Sequence, residues 1–173
     1  NMVIGRSNKF LIKYSKKLFC YSEKIINFPE KEKDKIVVIN KVLRKEIYNF
    51  NDYAKEKIYN KINLLIVGGS QGAKLFDEKL KNSILELSKK YKLMIYHQVS
   101  SLDFGDLKFF YNKNNIENKL FNFEENIFQY IKESNLAITR AGASTLSELA
   151  FLKVPFVSIP YKFATDNHQF ENA

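Results

Sequence analysis

The segment Ile62–Gly69, INLLIVGG, restricts the possible folds of this chain more than any other feature. It is an uninterrupted apolar run that ends in two glycines, which is typical of a strand buried on both faces of a parallel sheet. After it, Leu80, Ile84, Leu87 and Tyr91 recur at helical spacing, which indicates one amphipathic helix over QGAKLFDEKLKNSILELSKKY. A buried strand followed by such a helix is the repeating unit of α/β proteins.

The same alternation continues through the chain. Further strands are expected at KLFCYS, at Lys35–Asn40 (KIVVIN), at Lys92–Gln98 (KLMIYHQ), and at LKFFY, KLFNF, LAIT and PFVSIP. Helices are expected at ENIFQYIKES, at STLSELAFL and from about Asp166. Strands that alternate with helices predict an α/β fold with a parallel sheet and helices on both faces. In such sheets ligands bind at the carboxyl ends of the strands, beside helix N-termini.

An amphipathic pattern near the start of the chain has two interpretations. SNKFLIKYSKKLF places Phe10, Leu11, Tyr14 and Leu18 on one helical face and most of its lysines on the other. This pattern fits a helix packed on the domain or a helix that lies on a membrane surface. Packing is the commoner arrangement, and we expect it here.

Composition excludes three classes of protein. Hydrophobic residues make up 45% of the chain, which is too large a share for an intrinsically disordered protein. No apolar run approaches the roughly 20 residues of a membrane-spanning helix. The single cysteine, Cys20, excludes an internal disulfide, and we expect it to be a small buried side chain in a reducing compartment.

The positive charge is concentrated in the first part of the chain. Residues 1–61 carry 15 Lys and Arg against 7 Asp and Glu, whereas residues 62–173 carry 13 against 12. We attribute the lysines to a general Lys, Asn and Ile richness and expect no nucleic-acid partner. The arginines, which occur only at Arg6, Arg44 and Arg140, are more informative because a guanidinium can bind phosphate through two hydrogen bonds.

The first candidate loop, GGSQGA, lies between the buried strand and its helix. Gly68, Gly69 and Gly72 let the backbone approach an anion closely, and the Ser70 hydroxyl and the helix N–H groups can bind phosphate oxygens. The loop lacks the Gly-Lys-Ser/Thr ending of a Walker A motif and does not match GxGxxG. A tight turn without a ligand explains this motif equally well.

The second candidate loop, RAGASTLSE, repeats this arrangement after the strand LAIT. Arg140 could orient a phosphate or a carboxylate, and Gly142 permits a close approach of the backbone. Backbone donors at the helix start are expected from Ala143, Ser144 and Thr145. Glu148 is either the last residue of a Thr145-x-x-Glu148 capping box or a carboxylate that accepts hydrogen bonds from a ribose diol. Capping is the simpler of the two.

The third candidate loop, YKFATDNHQFEN, combines donors and acceptors that suit a hydroxyl-rich ligand such as a sugar. These side chains are Asp166, His168, Gln169 and Asn172. The histidines lack the ligand spacing of a metal site, and His97 is expected to be a half-buried strand residue. With no Ser-His-Asp arrangement and no paired carboxylates, the residues alone leave the catalytic group unknown.

These motifs together resemble the MurG family of peptidoglycan glycosyltransferases. LLIVGGSQGA, TRAGASTLSELA, VPFVSIPY and ATDNHQFENA occur in the family's order from about Ile62 to Ala173, with a looser match back to Asn1. The family transfers N-acetylglucosamine (GlcNAc) from UDP-GlcNAc to undecaprenyl-pyrophosphoryl-MurNAc-pentapeptide (lipid I), which makes lipid II. The resemblance implies a Rossmann-like parallel sheet, the nucleotide-sugar-binding half of a GT-B fold. It also implies a peripheral location at the cytoplasmic face of the bacterial inner membrane, and neither cofactor nor metal.

The resemblance assigns donor-side roles to residues at matching positions. Ser70 is similar to the residue that contacts the donor phosphates, and Glu148 is similar to the one on the ribose hydroxyls. Gln169, beside His168, resembles the glutamine that reads the GlcNAc hydroxyls. Glu124 falls, by a looser match of NFEENI, where backbone atoms of the family pair with uracil.

Two further positions match the acceptor side and the interdomain loop. Asn1 resembles the Asn of the family's EQN element at the edge of the acceptor cleft. Arg44 resembles the Arg of GNPVR, although this chain has NKVLR there, with Asn40, Lys41 and Val42 in place of Gly, Asn and Pro. The implied substrate-binding set is Asn1, Arg44, Ser70, Glu124, Arg140, Ala143, Ser144, Thr145, Glu148, His168 and Gln169, with Gly68, Gly69 and Gly72 as the phosphate loop.

The resemblance divides the chain and leaves three functions open. Residues 1–25 are expected to end the N-terminal GT-B domain and form the crossover, and residues 26–173 to form an incomplete donor-binding domain. Both chain ends look cut, and the family's GGTGGH loop and catalytic base lie outside this sequence. The chain is then half of an inverting transferase that is inactive alone, the donor-binding subunit of a split transferase, or a UDP-sugar-binding module without catalysis. A UDP-GlcNAc epimerase shares the fold but fits GGSQGA and HQFENA less well.

Overall fold

The computed structural model of the chain describes residues 3–48, 61–69, 74–101, 104–161 and 168–173. Its strands, in chain order, are β1 (Leu18–Cys20), β2 (Ile36–Val38), β3 (Lys61–Val67), β4 (Lys92–Gln98), β5 (Glu117–Phe121), β6 (Leu136–Thr139) and β7 (Phe156–Ser158). Its α-helices are α1 (Arg6–Leu11), α2 (Lys45–Tyr48), α3 (Lys74–Lys79), α4 (Lys81–Ser88), α5 (Gly105–Lys113), α6 (Ile127–Glu133), α7 (Ala143–Phe151) and α8 (His168–Asn172).

Strands β3 to β7 form one parallel sheet in the order β5-β4-β3-β6-β7. The central strand is β3, where Leu65 pairs with Tyr96 of β4 on one side and with Ala137 of β6 on the other. The side chains of residues 64–67 are at most 2% exposed, because helices cover both faces of the sheet. The α/β fold with a parallel sheet that the sequence predicted is therefore confirmed.

Side chains of β3 point alternately into two apolar cores, as the pleat of a strand requires. The first core includes Leu64, Ile66, Phe76, Ile84, Ile95, Leu107 and Tyr111. The second includes Leu65, Val67, Ile47, Tyr130, Ile131, Ala137 and Leu149. Each fully buried aliphatic side chain contributes about 1.5–3 kcal/mol, so the two cores hold the sheet as a rigid support for the loops at its carboxyl edge.

The prediction of a strand at LKFFY is wrong, because the structure places this segment in helix α5. Leu107 and Tyr111 are 4% and 0% exposed, whereas Phe109 is 68% exposed. A spacing of four residues puts Leu107 and Tyr111 on one helical face, and both side chains fill the first core. Aromatic residues favour strands, but the burial that the helix achieves outweighs that preference.

The long helix predicted after GGSQGA is divided into α3 and α4 at Leu80. Phe76 of α3 and Ile84 of α4 are both buried against the same core, so each short helix contributes its own apolar anchor. Tyr91 lies beyond the end of α4 and is 37% exposed. The helical periodicity was read correctly at Ile84, but the pattern did not reveal the break.

The N-terminal residues form a small unit around a second, two-stranded sheet. Strands β1 and β2 pair in parallel, and Val3 forms a parallel bridge with Ile26. Ile4, Ile12 and Phe28 are buried together between these elements. The unit includes residues on both sides of the expected boundary at residue 25, so the division of the chain into domains stays a prediction.

The expected packing of the N-terminal amphipathic helix is wrong. Phe10, Leu11 and Tyr14 are 65%, 51% and 71% exposed, and the buried side chain of this segment is Ile12. The α-helix ends at Leu11 and continues as a 3-10 turn, while Leu18 belongs to β1. The four residues therefore do not share the face that a continuous helix would give them.

The structure also bears on the burial of Cys20 and on the expected lack of a membrane-spanning helix. Cys20 is half-buried, not fully buried as expected, and its partial burial raises the pKa of the thiol. Among the helices of the described ranges, none combines the length and the hydropathy that crossing a membrane requires.

Candidate functional site

Three loops at the carboxyl edge of the sheet meet at Arg140, which directly follows β6. Its guanidinium carbon lies 4.8 Å from the centre of the Phe76 ring, in the helix after the glycine loop, and 5.2 Å from that of Tyr161. Its Nη1 donates to the carbonyl oxygens of Ile159 and Pro160, both at 3.4 Å. The start of α3, which follows GGSQGA, the RAGAST loop and the first residue of YKFATDNHQFEN therefore lie together at this edge of the sheet.

The buried guanidinium of Arg140 connects the segments around it through ring contacts and hydrogen bonds. The residue is 8% exposed, and burial lowers the pKa of its guanidinium. Stacking of a desolvated guanidinium on an aromatic ring contributes about 2 kcal/mol or more. Direct contact of Arg140 with a phosphate or carboxylate stays a prediction.

The glycine loop begins with backbone that favours glycine. Gly69 has φ +88°, a conformation that L side chains rarely adopt. The preceding Gly68 donates its N–H to Oε1 of Gln98, at 3.1 Å, at the end of β4. Ser70 and Gly72 lie outside the described residues, so their predicted contacts with phosphate stay predictions.

In the RAGAST loop, the left-handed backbone lies at Ala141 and not at Gly142. Ala141 has φ 54° and is fully buried, whereas Gly142 has φ −67° and is the N-cap of α7. A Cβ added to Gly142 would meet only Thr145 Oγ1, at 3.8 Å. The turn before α7 is therefore made at Ala141, and the close approach of a ligand to Gly142 stays a prediction.

The N-terminus of α7 presents free backbone donors. The first N–H bonded within the helix is that of Leu146, which donates to the carbonyl oxygen of Gly142 at 2.9 Å. The N–H groups that precede it have no partner inside the helix and belong to Ala143, Ser144 and Thr145. Such a helix start favours an anion by roughly 0.3–1 kcal/mol.

The capping-box interpretation of Glu148 is wrong. Helix α7 begins at Ala143 with Gly142 as its N-cap, and no side chain forms a capping hydrogen bond there. Thr145 is thus already the third helical residue, and Glu148 lies one turn further along, too deep to reach an unpaired N–H of the first turn. The carboxylate of Glu148 is available for another partner.

That partner is Arg44, which precedes α2. Its Nε lies 3.1 Å from Glu148 Oε1, with the Glu148 side chain 8% exposed and the Arg44 side chain 45% exposed. Arg44 Nη1 also donates to the carbonyl oxygen of Glu125 at 3.2 Å. Burial raises the pKa of Glu148, and the Arg44 charge opposes that rise. The structure therefore brings Arg44, Glu148 and the β5–α6 loop together.

The side chain of Glu124 organises the start of α6. Its Oε1 accepts the Asn126 N–H at 3.0 Å, and its Oε2 accepts the Tyr130 hydroxyl at 3.1 Å. These contacts fix the backbone of the loop that Arg44 also touches. The predicted pairing of backbone atoms near Glu124 with uracil needs such a fixed backbone, and the pairing itself stays a prediction.

Helix α8 is held to the residue after Pro160 and to the RAGAST loop by its amide side chains. Gln169 Oε1 accepts the Tyr161 N–H at 2.7 Å, and Asn172 Nδ2 donates to the carbonyl oxygen of Ala141 at 3.2 Å. His168 begins the helix and is half-buried. Asp166 and Asn1 lie outside the described residues.

Sequence reasoning missed a buried polar cluster behind the glycine loop. His97 is 0% exposed, not half-buried as expected; its Nδ1 lies 2.8 Å from the Tyr111 hydroxyl and its Nε2 lies 3.2 Å from Asp77 Oδ1. Asp77 Oδ2 accepts the Ser100 N–H at 3.1 Å. The signal available in the sequence was a pair of polar residues, His97 and Gln98, at the carboxyl end of an apolar strand.

Comparison with known proteins shows a match over most of the described sheet. The model of the family "Glycosyltransferase family 28 C-terminal domain" matches residues 63–173. Among solved structures, the crystal structure of MurG from Acinetobacter baumannii superposes with a TM-score of 0.71 at 30% identity, and covers 99% of this chain and 47% of that one. The expected Rossmann-like parallel sheet of one half of a GT-B fold is thereby confirmed, and its binding of a nucleotide sugar stays a prediction.

Two curated relatives share the printed name UDP-N-acetylglucosamine--N-acetylmuramyl-(pentapeptide) pyrophosphoryl-undecaprenol N-acetylglucosamine transferase. The protein from Pelagibacter ubique (strain HTCC1062) is 54% identical over 173 residues, which are 100% of this chain and 48% of that protein. The protein from Rickettsia canadensis (strain McKiel) is 40% identical over an alignment of 176 residues that covers 100% of this chain and 50% of that protein. The chain spans about half the length of the curated relatives that it matches.

Proposed function

This chain belongs to the glycosyltransferase family 28 C-terminal domain family, and on that premise we propose that it is the donor-binding half of an inverting hexosyltransferase. The proposed reaction moves GlcNAc from UDP-GlcNAc to the undecaprenyl-linked acceptor lipid I and forms lipid II for peptidoglycan. The observation that carries the proposal is the meeting of three loops at Arg140, beside the free N–H groups of α7.

The chemistry of the site supports binding of a nucleoside diphosphate. In the proposed reaction an acceptor hydroxyl attacks the anomeric carbon, its configuration inverts, and UDP leaves with increased negative charge on the phosphate. Preorganised N–H groups lower the energy of such a state because they need no reorientation as charge develops. Ala143, Ser144 and Thr145 would supply these donors, together with the loop that begins at Gly68 and Gly69 and includes Ser70 and Gly72.

Glu148 and Arg44 would bind the nucleoside part. A buried carboxylate beside the helix start can accept both hydroxyls of a ribose, and Arg44 keeps it ionised from the other side. The backbone near Glu124, which the same arginine contacts through Glu125, would pair with the uracil.

The sugar would lie against α8. Gln169 and His168 stand at the start of that helix, and the amide of Gln169 is held beside Tyr161. A side-chain amide offers both a donor and an acceptor to sugar hydroxyls. Under this proposal residues 26–173 are the donor domain, residues 1–25 belong to the end of the preceding domain and the crossover, and Asn1 lies at the acceptor cleft.

We also propose that the enzyme works at the cytoplasmic face of the bacterial inner membrane, where its lipid acceptor resides. The exposed side chains of Phe10, Leu11 and Tyr14 support contact with a membrane surface, since exposed aromatic residues beside lysines suit the bilayer interface. Lys13 Nζ lies 5.5 Å and 5.1 Å from the ring centres of Phe10 and Tyr14.

Calorimetric titration of the folded 173-residue chain with UDP tests the proposal, with ADP as the matched control. We expect UDP to bind and ADP to bind more weakly. The chain alone should transfer no GlcNAc to a lipid I analogue, because the acceptor side lies in the other half of its relatives. Absence of UDP binding contradicts the donor-site proposal, and detectable transfer by the chain alone contradicts the need for a second half.

A further inference from the structure

We infer that Gln98 is a positioning residue that sets the distance between the phosphate-binding and base-binding loops of the donor site. The inference rests on the proposed function and deepens it, since it explains how two loops on neighbouring strands keep one spacing. Gln98 is the last residue of β4 and is 7% exposed. Strand β4 lies between β5 and β3 in the sheet.

The two ends of the Gln98 amide contact different loops. Oε1 accepts the N–H of Gly68, directly after β3, at 3.1 Å. Nε2 donates to the carbonyl oxygen of Asn122, directly after β5, at 3.2 Å. One planar group thus joins the exits of the strands on both sides of β4, because a primary amide carries an acceptor oxygen and donor N–H groups at its two ends.

Asn122 strengthens the connection from the opposite direction. Its Nδ2 donates to the carbonyl oxygen of Val99 at 3.0 Å, and the Val99 N–H donates to the carbonyl oxygen of Phe121 at 2.8 Å. The exits of β4 and β5 are therefore locked together beyond their last paired residues, Gln98 and Phe121. The hydrogen bond from Gly68 to Gln98 joins the glycine loop to the same network.

The positions of the two loops explain why the hydrogen bonds of Gln98 would matter for ligand binding. Gly68 begins the loop assigned to the donor phosphates, and Asn122 lies two residues before Glu124, whose backbone is assigned to the base. A nucleotide that binds both loops needs them at a fixed separation, and an amide held by two hydrogen bonds in a buried site provides a rigid spacer. Loss of the amide leaves a partly buried N–H and a partly buried carbonyl without their partner, which is unfavourable.

Two substitutions in the 173-residue chain separate the two ends of the amide. Gln98→Met keeps the length of the side chain and removes both hydrogen bonds, so we expect UDP affinity to fall about tenfold. Gln98→Glu keeps the acceptor for Gly68 and loses the donor for Asn122. In that variant, hydrogen exchange of the Gly68 amide in the absence of ligand should remain as slow as in the unsubstituted chain, whereas in Gln98→Met it should accelerate.

Asn63→Ala is the matched control, because its side chain bonds the Glu133 carbonyl oxygen at 2.9 Å near the opposite edge of the sheet. It should lower stability to a similar extent and leave UDP affinity within twofold.

Unchanged UDP affinity in folded Gln98→Met, or an equal loss in Asn63→Ala, overturns the inference while the donor site stands. If Gln98→Met does not fold, the UDP affinity of Gln98→Glu decides: a threefold or greater loss supports the inference, and a smaller one overturns it. Absence of UDP binding by the unsubstituted chain overturns the donor site and the inference together.

Discussion

The Arg44 guanidinium and the Glu148 carboxylate form an ion pair with Nε and Oε1 3.1 Å apart. Arg44 stands before a one-turn helix in the first third of the chain, and Glu148 lies within α7. The pair holds a largely buried carboxylate one turn beyond the free N–H groups of α7, and the proposed ribose site uses that carboxylate. It therefore connects the proposed nucleotide site to the segment that joins the N-terminal unit to the sheet.

Substitution of Glu148 by Gln tests the role of its charge in nucleotide binding. We expect UDP affinity to fall about tenfold, because a neutral amide accepts hydrogen bonds from a diol less strongly than a carboxylate does. The helix should remain, since Glu148 is not part of its cap. Calorimetry with UDP measures the effect, and unchanged affinity would show that Glu148 does not contact the ribose.

The same variant should also alter the dependence of stability on pH. Burial raises the pKa of Glu148 above its usual 4.5 in the folded chain, despite Arg44. The folded state then holds this proton more tightly than the unfolded state does, so stability falls as the pH rises from about 4.5 through the folded pKa. Urea unfolding across this range should show that loss in the unsubstituted chain and less of it in Glu148→Gln. Parallel curves for the two proteins contradict the raised pKa.

Arg44→Met should weaken UDP binding by removing the partner of Glu148, and the loss should be greater at low pH, where the unpaired carboxyl is protonated. The folded state should lose about 1 kcal/mol, since the arginine is partly exposed. Arg44→Lys should restore only part of the affinity, because an ammonium cannot reproduce two donors in a planar fork. Lys61→Met, at an exposed pair with Glu117, is the control and should change neither stability nor binding appreciably. An equal effect in the control would contradict a specific role for Arg44.

Gly69→Ala should destabilise the chain by about 1–2 kcal/mol, because at φ +88° an alanine must adopt the left-handed conformation, which is unfavourable for a residue with a Cβ. No atom lies within 4 Å of that Cβ, so the cost comes from the backbone and not from a clash. Gly142→Ala is the matched control: with φ −67° and room for the methyl group it adds no backbone strain, so it should cost less, through the lower preference of alanine for the N-cap alone. Chemical denaturation of both variants checks the contrast, which fails if the two variants lose the same stability.

Asp77→Asn should reduce stability at neutral pH and matter less in acid. Burial raises the pKa of Asp77, but hydrogen bonds from His97 and Ser100 together lower it below its usual 3.8. The stabilisation by the ionised Asp77 is then complete above about pH 3.8, the pKa of the unfolded state. It is lost as the pH falls through the lower pKa of the folded state. The difference in urea midpoint between the two proteins should therefore shrink below pH 4. Glu86→Gln, at an exposed pair with Lys89, should show no such trend, and a constant difference for Asp77→Asn refutes the assignment.

The sequence by itself determined the parallel α/β arrangement and the position of the binding loops. The continuous apolar run of β3 and the alternation of strands with helices are local signals, since each element must bury a face that its own residues define. The rule that parallel strands present their loops at one edge then predicted that GGSQGA, RAGAST and the α8 segment would lie together. In the part of the chain that the structure describes, Phe76 after the glycine loop contacts Arg140, and Asn172 of α8 contacts Ala141, as that rule requires.

Only the tertiary structure decided which side chains meet and what they do. The ion pair of Arg44 with Glu148 and the bridge from Gly68 through Gln98 to Asn122 join residues that are distant in the chain, and no local pattern encodes such distances. The same reason explains the errors at LKFFY, where burial against the core overrode strand propensity, and at Glu148, where the helix began three residues earlier than the capping pattern implied. Periodicity is a property of neighbours along the chain, whereas a binding site depends on which elements the packed core places side by side.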